Sequence, residues 1–117
     1  MTFKQENSLE KRTKLSEKIL TQYKNRIPVI VEPANERAPS LNKTKFLCPV
    51  DMTVGAFVQE IKKHLTQQQS ATESIFLFVN NSVLPNNALM MAQIYEKNKD
   101  ADGFLYLSFS GENVFGC

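Results

Sequence analysis

The part of the sequence that most constrains the fold is the apolar run at residues 104–109, FLYLSF, near the C-terminus. It is rich in aromatic and aliphatic side chains and contains no charged residue. A run this short and this apolar predicts a strand that is buried on both faces, and therefore a strand at the centre of a sheet. The sequence turns polar directly afterwards, at residues 110–113, and ends with Val114, Phe115, Gly116 and Cys117.

A buried strand that leads into a short tail with a glycine near its end is the layout of a ubiquitin-like modifier. Gly116 has this position. A glycine there lets an enzyme thread the tail through a narrow channel and reach the carbonyl carbon, because glycine has no Cβ and adopts any backbone conformation. The alternative is a frayed terminus in which the glycine has no functional meaning.

Composition narrows the class of protein. The 117 residues suffice for one domain with a modest core, and 42% of them are apolar, as in ordinary globular proteins. The net charge of +2 predicts no general attraction to nucleic acid. The sequence has no run of about 18 apolar residues and no signal-peptide pattern, so we expect neither a membrane span nor secretion. Cys48 and Cys117 form neither a disulfide framework nor a metal cluster, which fits a reducing cytosol and predicts no metal and no cofactor.

The N-terminal segment, residues 1–26, is predicted to form a helical lobe with two helices. Leu15, Ile19 and Tyr23 recur at i, i+4 and i+8 and so share one side of a helix, and Ser8 is a candidate N-cap. Basic side chains occupy other positions: Lys11, Arg12, Lys14, Lys18 and Lys24. They indicate either a solvated helix face or a weak contact with acidic lipid head groups or an acidic partner.

Strands are predicted at residues 27–32, 44–48, 75–79 and 104–109. Pro28 is tolerated near the start of the first strand if its missing N–H is not needed there. The second strand has the mixed polarity of an edge strand and is closed by Pro49. Asn80 and Asn81 predict a turn after the third. Because the first and last strands are the most apolar, we expect them to pair, in parallel, at the centre of the sheet.

Two helices are predicted between the strands. The longer one follows turn and cap residues at 51–53 and carries apolar residues at helical spacing: Val54, Phe57, Val58, Ile61 and Leu65. The shorter one begins near Asn87, a good cap, and turns Met90, Met91, Ile94 and Tyr95 inward. The glutamine-rich residues 67–70 are predicted to be a loop.

The resulting fold class is α+β, a ubiquitin-like β-grasp with a four-stranded mixed sheet and a covering helix. The predicted organisation has an N-terminal helical lobe at residues 1–26, the β-grasp core at 27–110 and a flexible tail at 111–117.

These elements and several short motifs resemble the GABARAP and light-chain-three family of autophagic ubiquitin-like modifiers, the autophagy-related protein eight group. The resemblance covers nearly the whole chain, in order and at close to family spacing. The matching segments are residues 9–12 (LEKR), 26–32 (RIPVIVE), 45–47 (KFL), 52–55 (MTVG), 78–81 (FVNN), 103–106 (GFLY) and 110–116 (SGENVFG). Any one of them would be a weak signal, and their agreement is a specific one.

The resemblance implies a modifier that is attached through Gly116 to phosphatidylethanolamine on autophagosomal membranes. A cysteine protease would first remove Cys117, an E1-like enzyme would adenylate the glycine and take it as a thioester, and an E2-like enzyme would pass it to the lipid amine. The protein would be cytoplasmic before lipidation and would lie on autophagosomes and other vesicle membranes after it, acting in autophagosome formation and protein transport.

The resemblance also implies a docking surface for receptor motifs in which an aromatic residue is followed, three positions later, by an aliphatic one. The peptide would add a strand to the sheet edge at residues 45–48. By matched position the aromatic pocket would use Glu17, Ile19, Pro28, Lys45, Leu47 and Phe104. The aliphatic pocket would use Phe46, Cys48, Pro49, Met52, Phe57 and Ile61, although core packing explains Phe57 and Ile61 equally well. Arg26, Lys43 and Lys45 would meet acidic residues that flank the motif.

The sequence departs from the family pattern at three positions. Cys48 stands where the family usually has a β-branched residue. Glu60 stands at a usually apolar position of the aliphatic pocket, which puts the depth and ligand choice of that pocket in doubt. His64 replaces a common basic residue, and we interpret it as a surface side chain.

Three other functions compete with the lipid-conjugated modifier. One is an adaptor in vesicle trafficking that binds the same motifs and is never conjugated, and another is a modifier attached to protein lysines. The third is a cysteine hydrolase that uses Cys48 and His64. An apolar strand should raise the pKa of the Cys48 thiol, which disfavours a nucleophile, so we do not expect an enzyme.

Overall fold

The described residues, which are 2–35, 38–66, 75–80, 82–84 and 88–111 of a computed structural model, form a mixed sheet with helices on both faces. In chain order the elements are α1 (Phe3–Glu6), α2 (Leu9–Gln22), β1 (Arg26–Pro33), β2 (Lys45–Pro49), α3 (Val54–Lys62), β3 (Phe76–Val79), β4 (Ser82–Val83), α4 (Met91–Asn98) and β5 (Leu105–Ser110). The two N-terminal helices, the strands and the two later helices confirm the predicted order.

The sheet is built around the parallel pairing of β1 with β5. The strand order is β2-β1-β5-β3-β4, with Val29 opposite Leu105 and Val31 opposite Leu107. This confirms the predicted central pair and places β2 at an edge, as expected. The prediction of four strands is wrong, because the described part of the chain already forms a five-stranded sheet. The added β4 has only two residues, too few to leave a period-2 pattern in the sequence.

Each face of the sheet carries its own apolar cluster. The main core joins α3 and α4 to one face through Phe57, Ile61 and Met91, which are almost completely buried. A smaller cluster joins the N-terminal helices to the other face, where Ile19 and Phe104 are buried. Because both faces are covered, β1 and β5 are buried along most of their length, as their apolar sequences predict.

Local cap chemistry sets the helix starts. The hydroxyls of Ser8 and Thr53 accept hydrogen bonds from backbone N–H groups of the first turns of α2 and α3, as predicted. Helix α3 ends at Lys62, and Leu65 is buried outside it, opposite Leu41 in an isolated bridge. The predicted extension of the helix to Leu65 is therefore wrong.

The start of the last helix also differs from the prediction. Helix α4 begins at Met91, after Met90, and not near Asn87. The N–H of Met91 donates to the carbonyl of Met52 at 2.8 Å, and Met90 bridges Thr53, so long-range pairing holds the preceding backbone out of the helix.

Some predictions fall outside the described residues. They are the loop at 67–70, the cap at Asn87, the second turn residue Asn81, and the tail at 112–117 with Gly116 and Cys117. The first turn residue, Asn80, has a φ of 52°, the left-handed conformation that asparagine tolerates. Among the described residues no helix has the length and apolarity needed to cross a membrane, and no group of metal-ligating side chains is present.

The N-terminal helices are fastened to the sheet by a buried carboxylate that the sequence did not reveal. The side chain of Asp102 is fully buried, and it accepts hydrogen bonds from the Phe104 N–H at 2.8 Å and from the Tyr106 hydroxyl. Arg12 on α2 pairs with it at 3.3 Å, so Arg12 does not belong to the solvated basic face. Burial, followed by the bond to Asp102, raises the pKa of Tyr106 above its usual range, so the hydroxyl stays a donor.

Gly103 brings the chain against α2 immediately after this carboxylate. Its φ is +93°, and a Cβ placed there would overlap the Ser16 hydroxyl. Ser16 is itself buried and donates its hydroxyl to the carbonyl of Asp102. A glycine is therefore required both by the backbone conformation and by the space available.

Replacing Gly103 should test this close approach. Gly103→Ala is expected to lower the free energy of unfolding by about 2–4 kcal/mol, because the left-handed backbone strain adds to the overlap with Ser16. Denaturant titration followed by circular dichroism measures the change. The matched control is Gly55→Ala inside α3, which should be neutral or slightly stabilising. Equal effects of the two substitutions would contradict the role given to Gly103.

Candidate functional site

The edge strand β2 is the structural centre of the candidate site. The N–H of Val31 donates to the carbonyl of Thr44, and the N–H of Val50 donates to the carbonyl of Asn25, each at 2.9 Å. Because backbone groups alternate along a strand, those of Lys45 and Leu47 point away from β1, toward the free edge. Pro28 lies opposite Leu47 in a pair that exchanges no hydrogen bonds, so its missing N–H costs the β1–β2 ladder nothing.

One backbone carbonyl at the free edge of β2 already accepts a hydrogen bond from a side chain. The guanidinium of Arg26 donates through Nη1 to the carbonyl of Leu47 at 3.1 Å. Arg26 thus partly satisfies the exposed edge, which otherwise offers its backbone groups to an added strand.

The side chains of β2 alternate between the two faces of the sheet. Phe46 and Cys48 belong to the main core on the α3 side. Leu47 packs with the smaller cluster on the α2 side, and Lys45 shares its face. The strand therefore separates two apolar regions, one on each side of the same edge.

On the α3 side the structure contains a cavity of about 260 Å³. Its lining combines apolar, sulfur-containing and charged side chains: Arg26, Lys43, Phe46, Leu47, Cys48, Pro49, Met52, Phe57 and Glu60. The structure thus brings together five of the six residues predicted for the aliphatic pocket. The sixth, Ile61, is fully buried in the core.

The floor of this cavity combines an aromatic pair with two sulfur-containing side chains. The rings of Phe46 and Phe57 meet edge to face with centroids 5.5 Å apart. The Cys48 sulfur lies 3.8 Å from the Met52 sulfur. A thioether and a small thiol give an adaptable apolar surface, which suits an aliphatic ligand side chain.

Charged groups form the rim of the cavity. Lys43 Nζ lies 4.9 Å above the centre of the Phe46 ring, and Arg26 lies at the edge carbonyl described above. Glu60, on α3, lines the same cavity, and its carboxylate oxygens lie 3.5 Å from Lys63 Nζ and 3.6 Å from His64 Nε2. The His64 ring is not a plain surface side chain, because it packs edge to face on Phe46 at 5.5 Å and is only 28% exposed.

Cys48 has the environment of an inert thiol. Burial raises its pKa from 9.0 to about 12; Arg26 lowers it, and the charges of Asp51 and Glu60 raise it further. Catalytic cysteines need the opposite shift, toward the thiolate. The arrangement therefore suits a binding wall and not a nucleophile.

On the α2 side, the residues predicted for the aromatic pocket are only partly brought together. Ile19, Leu47 and Phe104 share one cluster, and Pro28 lies across from Leu47. Phe104 is fully buried, and the Phe3 ring packs edge to face on it at 5.2 Å. Lys45 is exposed on the same face of β2. Glu17 is exposed two residues before Ile19, about 200° around the helix, so its place in the pocket stays a prediction.

Sequence reasoning missed two features of this site. It assigned Arg26 only to a peptide's acidic flank, whereas the structure also places it on the edge carbonyl of Leu47. It interpreted His64 as a surface side chain, whereas the structure packs the His64 ring on Phe46. The contact of Glu60 with Lys63 and His64 agrees with the expectation that this carboxylate turns toward them along the helix flank.

Comparison with known proteins places the chain in a family. The profile of a family described as "Autophagy protein Atg8 ubiquitin like" matches residues 11–116. Autophagy-related protein 8 of Dictyostelium discoideum is 53% identical over 116 residues, covering 98% of this chain and 93% of the relative. Autophagy-related protein 8c of Arabidopsis thaliana is 49% identical over 116 residues, covering 98% of this chain and 95% of the relative.

Solved structures agree with the sequence comparison. The crystal structure of Trypanosoma brucei ATG8 is similar with a TM-score of 0.87 at 38% identity, covering 99% of this chain and 98% of that one. Plasmodium falciparum Atg8, solved in complex with a Plasmodium falciparum Atg3 peptide, gives a TM-score of 0.82 at 39% identity, covering 96% and 97%. The predicted ubiquitin-like fold and the family resemblance are confirmed.

The raised pKa of Cys48 leads to a test of its inertness. A shift from 9.0 to about 12 lowers the thiolate fraction about a thousandfold near neutral pH. In a Cys117→Ser variant, iodoacetamide at pH 8 should therefore alkylate the native protein at least tenfold more slowly than the urea-unfolded protein, as measured by intact mass. Equal rates in the two states would show that the thiol is neither buried nor shifted.

Proposed function

The chain belongs to the Atg8 family of ubiquitin-like autophagy proteins, and from that membership we propose a lipid-conjugated modifier that recruits receptors to membranes. Its conjugation site is Gly116, its lipid is phosphatidylethanolamine and its place of action is the autophagosomal membrane. Its receptors carry short aromatic-x-x-aliphatic motifs. The observation that carries the receptor function is the pair of apolar regions on opposite faces of the free edge strand β2.

The spacing of the motif follows from this geometry. A peptide that adds to the free edge of β2 is extended, so its successive side chains point to opposite faces. Two residues that are three positions apart are separated by an odd number of positions, so their side chains lie on opposite faces of the extended peptide. An aromatic side chain is then directed to the α2 side, near Leu47 and Phe104, while the aliphatic one enters the cavity at Cys48 and Phe57.

The charged rim accounts for the preference for acidic flanks. Arg26 and Lys43 line the cavity, and Lys45 is exposed on the edge strand between the two apolar regions. An acidic peptide draws Arg26 from the Leu47 carbonyl to a carboxylate, which also frees that carbonyl for a backbone hydrogen bond to the peptide. Pairs this exposed are individually weak and are screened by salt.

The conjugation chemistry rests on the sequence of the tail, since residues 112–117 lie outside the described part of the chain. A free carboxylate is a poor electrophile, so an E1-like enzyme activates Gly116 as an adenylate and then as a thioester. An E2-like enzyme passes it to the lipid amine. The Plasmodium relative, solved with an Atg3 peptide, supports a conjugation-pathway partner for this chain as well.

Lipid attachment explains how a protein without a spanning helix among its described residues acts on membranes. Phosphatidylethanolamine has two acyl chains, and each buried CH₂ contributes about 0.8 kcal/mol of membrane affinity. One acyl chain gives marginal membrane binding, whereas two acyl chains give stable anchoring. In this proposal residues 1–26 are a helical lobe, 27–110 the core and 111–117 the conjugation tail of a cytoplasmic protein that becomes membrane-bound.

The chain itself is not an enzyme in this proposal, and the raised pKa of Cys48 supports that choice. The alternative function is a non-conjugated adaptor that uses the same groove. Conjugation separates the two, because only the modifier is found covalently attached to lipid.

The proposed receptor function makes a prediction about motif spacing. A peptide with acidic flanks and two residues between its aromatic and aliphatic anchors should bind with a Kd in the micromolar range, roughly 7–9 kcal/mol. Deleting one intervening residue directs both anchors to one face and should weaken binding at least tenfold. Isothermal titration calorimetry measures both.

A control peptide with an alanine in place of the aliphatic anchor defines the loss expected from an empty cavity. Raising the salt concentration should weaken the parent peptide, because it screens Arg26, Lys43 and Lys45. Peptides that bind equally well with one or two intervening residues would rule out the proposed edge-strand geometry.

The proposed conjugation makes a prediction about the C-terminal tail. Cys117 should be absent from the lipid-bound protein, because Gly116 must present a free carboxylate. A chain that ends at Gly116 should conjugate without the protease, and Gly116→Ala should abolish both cleavage and membrane attachment. Intact mass of the protein from starved and fed cells checks this, and persistence of Cys117 in the lipid-bound form would contradict it.

A further inference from the structure

The carboxylate of Glu60 is the unexpected component of the aliphatic cavity. It lines a space whose other walls are apolar or cationic. Its contacts to Lys63 and His64, at 3.5 and 3.6 Å, are much longer than the roughly 2.7–2.9 Å of a charge-assisted hydrogen bond. Both partners directly follow the end of α3, and the Glu60 side chain is 37% exposed. Glu60 therefore keeps acceptor capacity that its own helix does not use.

The two cations of the cavity have other contacts. Arg26 donates to the carbonyl of Leu47, and Lys43 lies over the ring of Phe46. Both belong to the β1–β2 side, whereas Glu60 belongs to α3. The cavity is thus polarised, with positive charge beside the strand edge and negative charge beside the helix.

An uncharged ligand does not use this polarity. An aliphatic side chain that fills the cavity removes water from Glu60 and offers no compensating donor, which is unfavourable for a carboxylate. A lysine or arginine near the aliphatic anchor supplies the donor, and its methylene stem covers apolar surface at the same time.

We propose that Glu60 is a specificity-determining residue that selects peptides with a lysine or arginine two residues from the aliphatic anchor. This inference rests on the proposed peptide-binding function. The position follows from the period of an extended peptide, because a residue two positions away points to the same face as the anchor. A residue one position away points to the opposite face and does not reach Glu60. The preferred ligand is therefore acidic on the side of Arg26 and Lys43 and basic beside α3.

The test compares peptides that differ at a single position. Starting from an aromatic-x-x-aliphatic parent, glutamine is replaced by lysine two residues before or two residues after the anchor. Lysine at one or both of these positions should raise the affinity about two- to fivefold, as expected for one partly exposed ion pair, and high salt should remove most of the gain. Lysine one residue after the anchor is the geometric control and should give no gain that depends on Glu60.

Variants of the protein identify the group responsible. Glu60→Gln keeps the shape of the side chain and should abolish the lysine gain while still binding the parent. Glu96→Gln, at an exposed glutamate on α4, is the matched control and should leave the gain unchanged. Asp51→Asn should also leave it unchanged, although Asp51 contributes charge near Cys48.

The outcomes separate this inference from the function on which it rests. If the parent peptide does not bind at all, the proposed peptide-binding function is wrong, and the inference is wrong with it. If the parent binds but lysine gives no gain at either same-face position, or the gain survives in Glu60→Gln, the receptor function stands and the role of Glu60 is refuted.

Discussion

The parallel pairing of β1 with β5 is the interaction on which the rest of the structure depends. It joins residues near the start of the chain to residues near its end, with Val29 opposite Leu105. Both strands are buried on both faces, so the pairing requires a helical layer on each side. It also occupies one edge of β1 and leaves β2 on the other, which is why β2 is a free edge. The same pairing places the end of β5 at Ser110, directly before the segment that we propose as the conjugation tail.

The buried carboxylate of Asp102 holds the second layer in place. A buried charge is tolerated only when it is paired and hydrogen-bonded, and Asp102 has both kinds of partner in Arg12 and Tyr106. Since Arg12 lies on α2 and Tyr106 on β5, the network fixes the helix against the central strand. The cluster of Ile19, Leu47 and Phe104 depends on that position, and so does the α2 side of the proposed groove.

A single edge strand therefore separates two proposed binding regions that differ in chemistry. On the α2 side the packing is apolar and aromatic, whereas on the α3 side the cavity has sulfur-containing walls and a polarised rim. The chain belongs to the Atg8 family, and in its cavity Cys48 and Glu60 are lining residues while the His64 ring packs on Phe46. In the proposed function, side chains at such positions determine which peptides bind without altering the fold.

The sequence by itself determined the central strands, the edge strand, the amphipathic helix α3 and its cap at Thr53, because each leaves a periodic or local signal. It also indicated the family, through short segments spread along the chain. Only the tertiary structure decided the features that depend on long-range contacts: the start of α4 at Met91, the pairing of β4, the burial of Asp102 with Arg12 and the bond from Arg26 to the Leu47 carbonyl. Most of these features join residues that are far apart in the chain, and such contacts leave no pattern in composition or spacing. The strand β4 has only two residues, which are too few to form a pattern.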